Sequence, residues 1–248
     1  MLKIILLLLA SFITLPALAA LQVELVDRNG QITTLTFQNG WMRGVSPKSD
    51  YIYTLMNLKM QRIYLIDMGD KTNTDVTPVF MNGKPHEFGL AALGAGPIVT
   101  GRDTQEYQIR DDEGDLCSRI FLWERPLEEE LVNLQSLLRQ IKIDPESLLP
   151  VLGPLADGLI PKCVRAELDA LGTLSQKGLV AMRINQEDIT TLRIQSVKPT
   201  EQEIPSCMMT PPKHYQPETP PSLAMEMIVR RLTGGREKPP IPLINECP

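Results

Sequence analysis

Aromatic residues make up only 5% of this 248-residue chain, so its core has to be assembled from Leu, Ile, Val and Met rather than around stacked rings. Histidine is scarcer still. With only His86 and His214, isolated from each other, a Ser-His or Cys-His catalytic pair has few ways to form. There is no G-x-S-x-G elbow, no H-E-x-x-H pair and no Walker loop, which removes hydrolases of the elbow type, zincins and P-loop nucleotidases. Basic excess is also missing: 25 Lys and Arg stand against 30 Asp and Glu. Nucleic acid rewards clustered cations and anionic lipid a polybasic run, so neither partner fits. No cysteine pair has C-x-x-C spacing, and a zinc site has no support. No cofactor is expected, and the chain reads as a protein that is not an enzyme. A carboxylate-only hydrolase is the enzymatic alternative, and it would need two acids facing each other across one cleft.

No apolar run is long enough for a bilayer. The longest near the start, Ile4 to Ile13, follows a single charge at Lys3 and leads through Pro16 to Ala17-Leu18-Ala19. A spanning helix needs about 20 apolar residues, so residues 1–19 read instead as a Sec-type signal peptide. No cysteine lies near the expected cut, and a lipid-modified form is not indicated. The expected product is periplasmic or secreted, with no transmembrane segment after cleavage.

What the exported part does have is an even number of cysteines, Cys117, Cys163, Cys207 and Cys247. In an oxidising compartment this favours two disulfides. Three pairings are open. Cys117 with Cys163 and Cys207 with Cys247 is the expected one, because the first two sit in the globular part and the others in a proline-rich tail.

Strand signals fill the first half. Leu21, Val23 and Leu25 alternate with Gln22 and Glu24, the period of a half-buried strand. Asn29-Gly30 and Asn39-Gly40 are hairpin turns, so the opening is an antiparallel meander continued through Tyr51–Asn57 and Arg62–Asp67. Residues 72–80 are expected to pair back as a strand. Asp67, Asp70, Asn73 and Asp75 lack the ligand spacing and closing glutamate of a calcium loop, and read as a solvated turn. Residues 82–101, rich in Gly, Ala and Pro, read as a loop. Gly94-x-Gly96 has no third glycine or Lys-Ser/Thr step for phosphate. Tyr107 and Ile109 then face one way in a strand, the acidic run Asp111–Asp115 forms a hairpin tip, and Leu116–Trp123 returns.

The middle turns helical. Leu131, Leu134, Leu138 and Ile141 form a stripe at helical period, with Pro126 and Glu128–Glu130 suited to the first turn and its dipole. Beyond Asp144-Pro145, an apolar stretch broken by Pro150, Gly153, Pro154 and Gly158 cannot be one regular helix. Its Leu148, Leu149, Val151, Leu152, Leu155, Leu159 and Ile160 are the candidates for a lid over an apolar ligand. A short helix is expected over Cys163–Leu171. Gly178–Ile184 and Ile189–Val197 make a second hairpin. From Lys198 the composition changes, with 11 of the 21 prolines in this last part. It reads as an extended tail over 198–248 with a short helix at Leu223–Leu232.

The runs IYLIDMGDKTNTDVT, GPIVTGRDTQEYQIRDDEGDLC and GLVAMRINQEDITTLRIQSV resemble a family of exported bacterial domains of unknown function. That family is grouped with the periplasmic lipoprotein-carrier (LolA/LolB-like) fold. The resemblance covers roughly residues 50–197 and implies an α+β domain, a curved antiparallel sheet forming a half-open barrel with helices packed on one face. With it come the expected divisions: signal peptide 1–19, sheet and helical lid 20–197, tail 198–248. The functional expectation is a non-enzymatic exported binding protein holding a lipid or other apolar small molecule. The alternative is a cell-envelope module that binds another protein through residues 198–248.

Overall fold

The computed structural model describes residues 20–45, 52–81, 87–126, 128–142, 161–200, 204–219 and 247. The expected signal peptide, the candidates Leu148, Leu149, Val151, Leu152, Leu155, Leu159 and Ile160, and the expected Leu223–Leu232 helix lie outside them. The chain forms β1 (Ala20–Asp27), β2 (Ile32–Gln38), β3 (Trp41–Val45), β4 (Ile52–Asn57), β5 (Arg62–Asp67) and β6 (Thr72–Asp75), then α1 (Thr77–Met81). There follow β7 (Gly89–Ala95), β8 (Gln105–Arg110), β9 (Leu116–Trp123), α2 (Glu129–Leu138), α3 (Lys162–Lys177), β10 (Leu179–Asn185), β11 (Thr190–Thr200) and β12 (Gln216–Glu218).

Local turn chemistry builds the meander. Asp27 Oδ1 accepts the backbone N–H groups of Asn29 and Gln31, and Gly30 supplies the positive φ that closes the β1–β2 hairpin. Asn39 and Gly40, both at positive φ, make the two-residue turn that sets Gln38 opposite Trp41. Distant pairing then joins the two halves. β1 lies antiparallel to β11, with Ala20 opposite Thr200, so the first strand sits in the middle of one sheet ordered β12-β6-β5-β4-β3-β2-β1-β11-β10-β9-β8-β7. Every neighbouring pair is antiparallel except β12 with β6.

This corrects the expected architecture. The protein is a single open sheet of 12 strands with three helices among the described residues, not a half-open barrel with helices on one face. Two features prevent the expected arrangement. The end strands β12 and β7 each pair with one neighbour only, so the sheet does not close. The helices also divide between the two sides of β9. Leu131, Leu134 and Leu137 of α2 join the main cluster with Phe121 and Trp123, whereas Ala166, Ala170 and Leu174 of α3 pack with Ile120 and Leu122. A third cluster, Tyr53, Leu55, Ile66 and Tyr215, lies under the 204–219 segment.

Three smaller expectations also change. Residues 72–80 divide into a strand and α1, because Thr77 Oγ1 accepts the Ile63 N–H and turns the chain. Gly89–Ala95 is a strand rather than a loop. α3 continues past Gly172 instead of stopping at Leu171, because that glycine serves close packing: a Cβ there would lie 2.8 Å from the Ile141 carbonyl oxygen. Gly172→Ala is therefore expected to destabilise the protein by ~2 kcal/mol through overpacking, read as a lower urea midpoint.

Both disulfides form, Cys117–Cys163 and Cys207–Cys247. The first ties the start of β9 to the first turn of α3, and the pair of them places the chain in an oxidising, extracytoplasmic setting. No described helix is long and apolar enough to cross a membrane.

Candidate functional site

The connection between β7 and β8 is tightly constrained. Gly96 donates its N–H to the Thr104 carbonyl at 2.7 Å, and the Thr104 hydroxyl donates to the Pro97 carbonyl at 2.6 Å. A Cβ on Gly96 would meet Phe121 and Thr104, each at 2.6 Å, so only glycine lets this backbone lie on β9. At the tip, Val99 and Arg102 exchange backbone hydrogen bonds of 2.9 and 3.0 Å across Thr100 at φ 47° and Gly101 at φ 75°. Val99 is fully buried in the main core. The turn is thus pinned at its first residue and strained at its second, since a β-branched side chain is rare at positive φ.

Two clefts flank this turn. The first, about 480 Å³, lies beside Gly96, Arg102, Thr104, Trp123 and Arg125. Arg102 stacks over the Trp123 ring at 4.6 Å and donates from both terminal nitrogens to the Glu128 carboxylate. Its charge is therefore matched within the protein. The sequence suggests only a dipole and solvation role for Glu128, but here it holds an arginine.

The second cleft, about 630 Å³, is lined by Asp27, Arg28, Thr100, Thr190, Arg193 and Gln195. Its balance of charge differs. Asp27 is occupied by its own turn, whereas Arg28 and Arg193 are exposed and have no carboxylate partner among the described residues. The β1–β11 register brings them together: Val26 lies opposite Arg193, and Arg28 follows in the adjoining turn. The Thr100 hydroxyl donates to the Val99 carbonyl at 2.8 Å, so the two guanidinium groups and the Thr190 hydroxyl are what this cleft offers a carboxylate or phosphate.

Other candidates resolve as structure. Asp67 Oδ1 accepts the N–H groups of Gly69 and Asp70, closing the turn considered for calcium. At the hairpin tip, Asp111, Glu113 and Asp115 approach one another closely enough to hold a cation. There, however, Asp111 Oδ1 accepts the N–H groups of Glu113 and Asp115, and Glu113 pairs with Lys162. The buried acids Asp67, Asp111 and Asp169 line neither cleft. None of the cleft residues stands out as functional in the sequence. Arg28 and Arg193 are far apart along the chain, and only the pairing of β1 with β11 relates them.

Replacing Thr100 by glycine tests the strain. Thr100→Gly is expected to stabilise the fold by ~1 kcal/mol, seen as a higher melting temperature, while removing one hydroxyl from the second cleft.

No protein-family model and no curated protein matches this sequence. Among solved structures, a crystal structure of an uncharacterized conserved protein from Thermus thermophilus is similar at 7% identity, a TM-score of 0.39, and coverage of 82% of this chain and 91% of that one.

Proposed function

We propose that this is a non-enzymatic, exported binding protein whose ligand carries a carboxylate or phosphate and docks in the Arg28/Arg193 cleft beside the strained Val99–Arg102 turn. The observation that carries the reading is the convergence of two arginines without carboxylate partners on one cleft of about 630 Å³. Export to the periplasm or beyond is supported by the signal-peptide pattern of residues 1–19 and by the two disulfides.

This ligand class replaces the apolar one as the better-supported reading. Both clefts carry charged and hydroxyl side chains rather than the Leu, Ile, Val and Met lining that an acyl chain requires. The alternative, recruitment of an envelope protein by residues 198–248, draws less support from the described part of that tail. Met208, Met209 and Tyr215 are buried against the protein itself.

Calorimetric titration of the mature protein with inorganic phosphate and with succinate tests the reading. Saturable binding that weakens as salt rises supports it. Absence of binding by both anions, together with acyl-chain mass on the protein purified without detergent, would return the apolar ligand to first place.

A further inference from the structure

Arg43 is an unusual residue to find in the body of a sheet. It projects from β3 between Thr36 and Leu55 on the neighbouring strands and is only 7% exposed. Arginine is almost never buried to this degree without a carboxylate, and among the described residues none pairs with it. Its Nε–H lacks an acceptor, and its guanidinium lies 4.6 Å from the Tyr53 ring centroid.

Tyr53 repeats the pattern. It is 3% exposed, its hydroxyl also lacks an acceptor, and burial pushes the pKa of that hydroxyl up to about 12. It therefore stays a hydrogen-bond donor at any physiological pH. Stacking on the ring offsets part of the cost of burying a cation, but it provides no acceptor for either group. Arg43 and Tyr53 thus offer two buried donors beside each other, and since the arginine charge cannot be titrated away, a small anion is the acceptor that also balances that charge.

The cover over this position is a separate piece of chain. Ile204 exchanges two hydrogen bonds of 2.9 Å with the Gln38 side chain. Tyr215 packs in the cluster with Tyr53 and Leu55, and β12 then pairs with β6. The 204–219 segment thus crosses the face that holds Arg43.

We propose that Arg43 and Tyr53 form a buried anion site, taking a small oxyanion, a carboxylate or a phosphate, between the sheet and the 204–219 segment. Occupancy then stabilises the docked segment, because an anion held between two elements binds only when both are in place. The site is independent of the Arg28/Arg193 cleft.

Thermal melting in an anion-poor zwitterionic buffer, with and without inorganic phosphate or acetate, tests this. The proteins compared are the wild type, Arg43→Met, Tyr53→Phe and the double variant Arg28→Gln/Arg193→Gln. At tenfold its dissociation constant, phosphate or acetate raises the wild-type melting temperature by ~4 °C. The shift persists in the cleft variant, where the Arg28/Arg193 cleft no longer takes the anion, and adding Arg43→Met to that variant abolishes it. Tyr53→Phe weakens the anion about tenfold by removing one hydrogen bond to a charged group. Without anion, Arg43→Met melts above the wild type, since an apolar chain of similar length replaces an uncompensated charge. An equal shift after Arg43→Met is added to the cleft variant, no shift with either anion, or an Arg43→Met protein less stable than the wild type in anion-poor buffer would overturn the assignment.

Discussion

Removing the disulfide between β9 and α3, as Cys117→Ser/Cys163→Ser, is expected to lower the stability of the protein by ~4 kcal/mol. The bond closes a loop with a sequence separation of 46, and in the chain-entropy account its loss returns that freedom to the unfolded state. Native-state contacts add to the effect. Cys117 is buried, and both cysteines belong to the cluster in which Ala166, Ala170 and Leu174 face Ile120 and Leu122. To that cluster α3 brings two alanines and Leu174, and only the partly buried Leu168 and Leu171 tie it to the main core, so its apolar hold on the sheet is modest. Urea unfolding followed by circular dichroism checks the figure. A loss below about 1 kcal/mol, well under the usual effect of a native disulfide, would mean that α3 is held by its contacts with the main core. The reduced wild type, which also loses Cys207–Cys247, should be at least as destabilised as the double variant.

The largest expected effect on binding is that of Arg28→Gln/Arg193→Gln. Hydrogen bonds to a charged group contribute about 1.5–3 kcal/mol each, so, in an Arg43→Met background where the buried site does not contribute, either single substitution should weaken phosphate or succinate binding about 10- to 100-fold. The double variant should lose about 10²- to 10⁴-fold. Both side chains are exposed, and stability should change by no more than about 0.5 kcal/mol, which separates lost recognition from lost folding. The salt dependence of binding should flatten in parallel as the charges that create it are removed. Unchanged affinity in the double variant would exclude the cleft.

How much of the fold is legible in the sequence depends on distance along the chain. The Asn29-Gly30 and Asn39-Gly40 hairpins and the inward pair Tyr107 and Ile109 follow from residues two to four positions apart, and sequence patterns report such spacings directly. β7 carries only Leu90 and Leu93 among small residues, so it has no alternation to read, and its ladder to β8 is made by backbone. Gly172 looks like a helix stop because a missing side chain is the same letter whether it ends a helix or admits a neighbouring carbonyl. The half-open barrel rests on resemblance alone, and resemblance to short strand motifs does not determine whether the end strands meet. Cleft and buried arginine are hidden for a further reason: each depends on strands or segments brought side by side from opposite ends of the chain.

The pairing of β1 with β11 also has a kinetic side. Ala20 lies against Thr200, so the central ladder of the sheet joins strands separated by nearly the whole described chain. For a polypeptide emerging N-terminus first, the β1–β5 meander can form early but presents β1 as an uncovered edge until the last long strand arrives. Contacts of such long range are slow to form, and an unpaired strand invites association with other chains. The protein should refold slowly from denaturant and aggregate most readily during that interval, and it should depend on holding factors until the strand ending at Thr200 has crossed the membrane and paired.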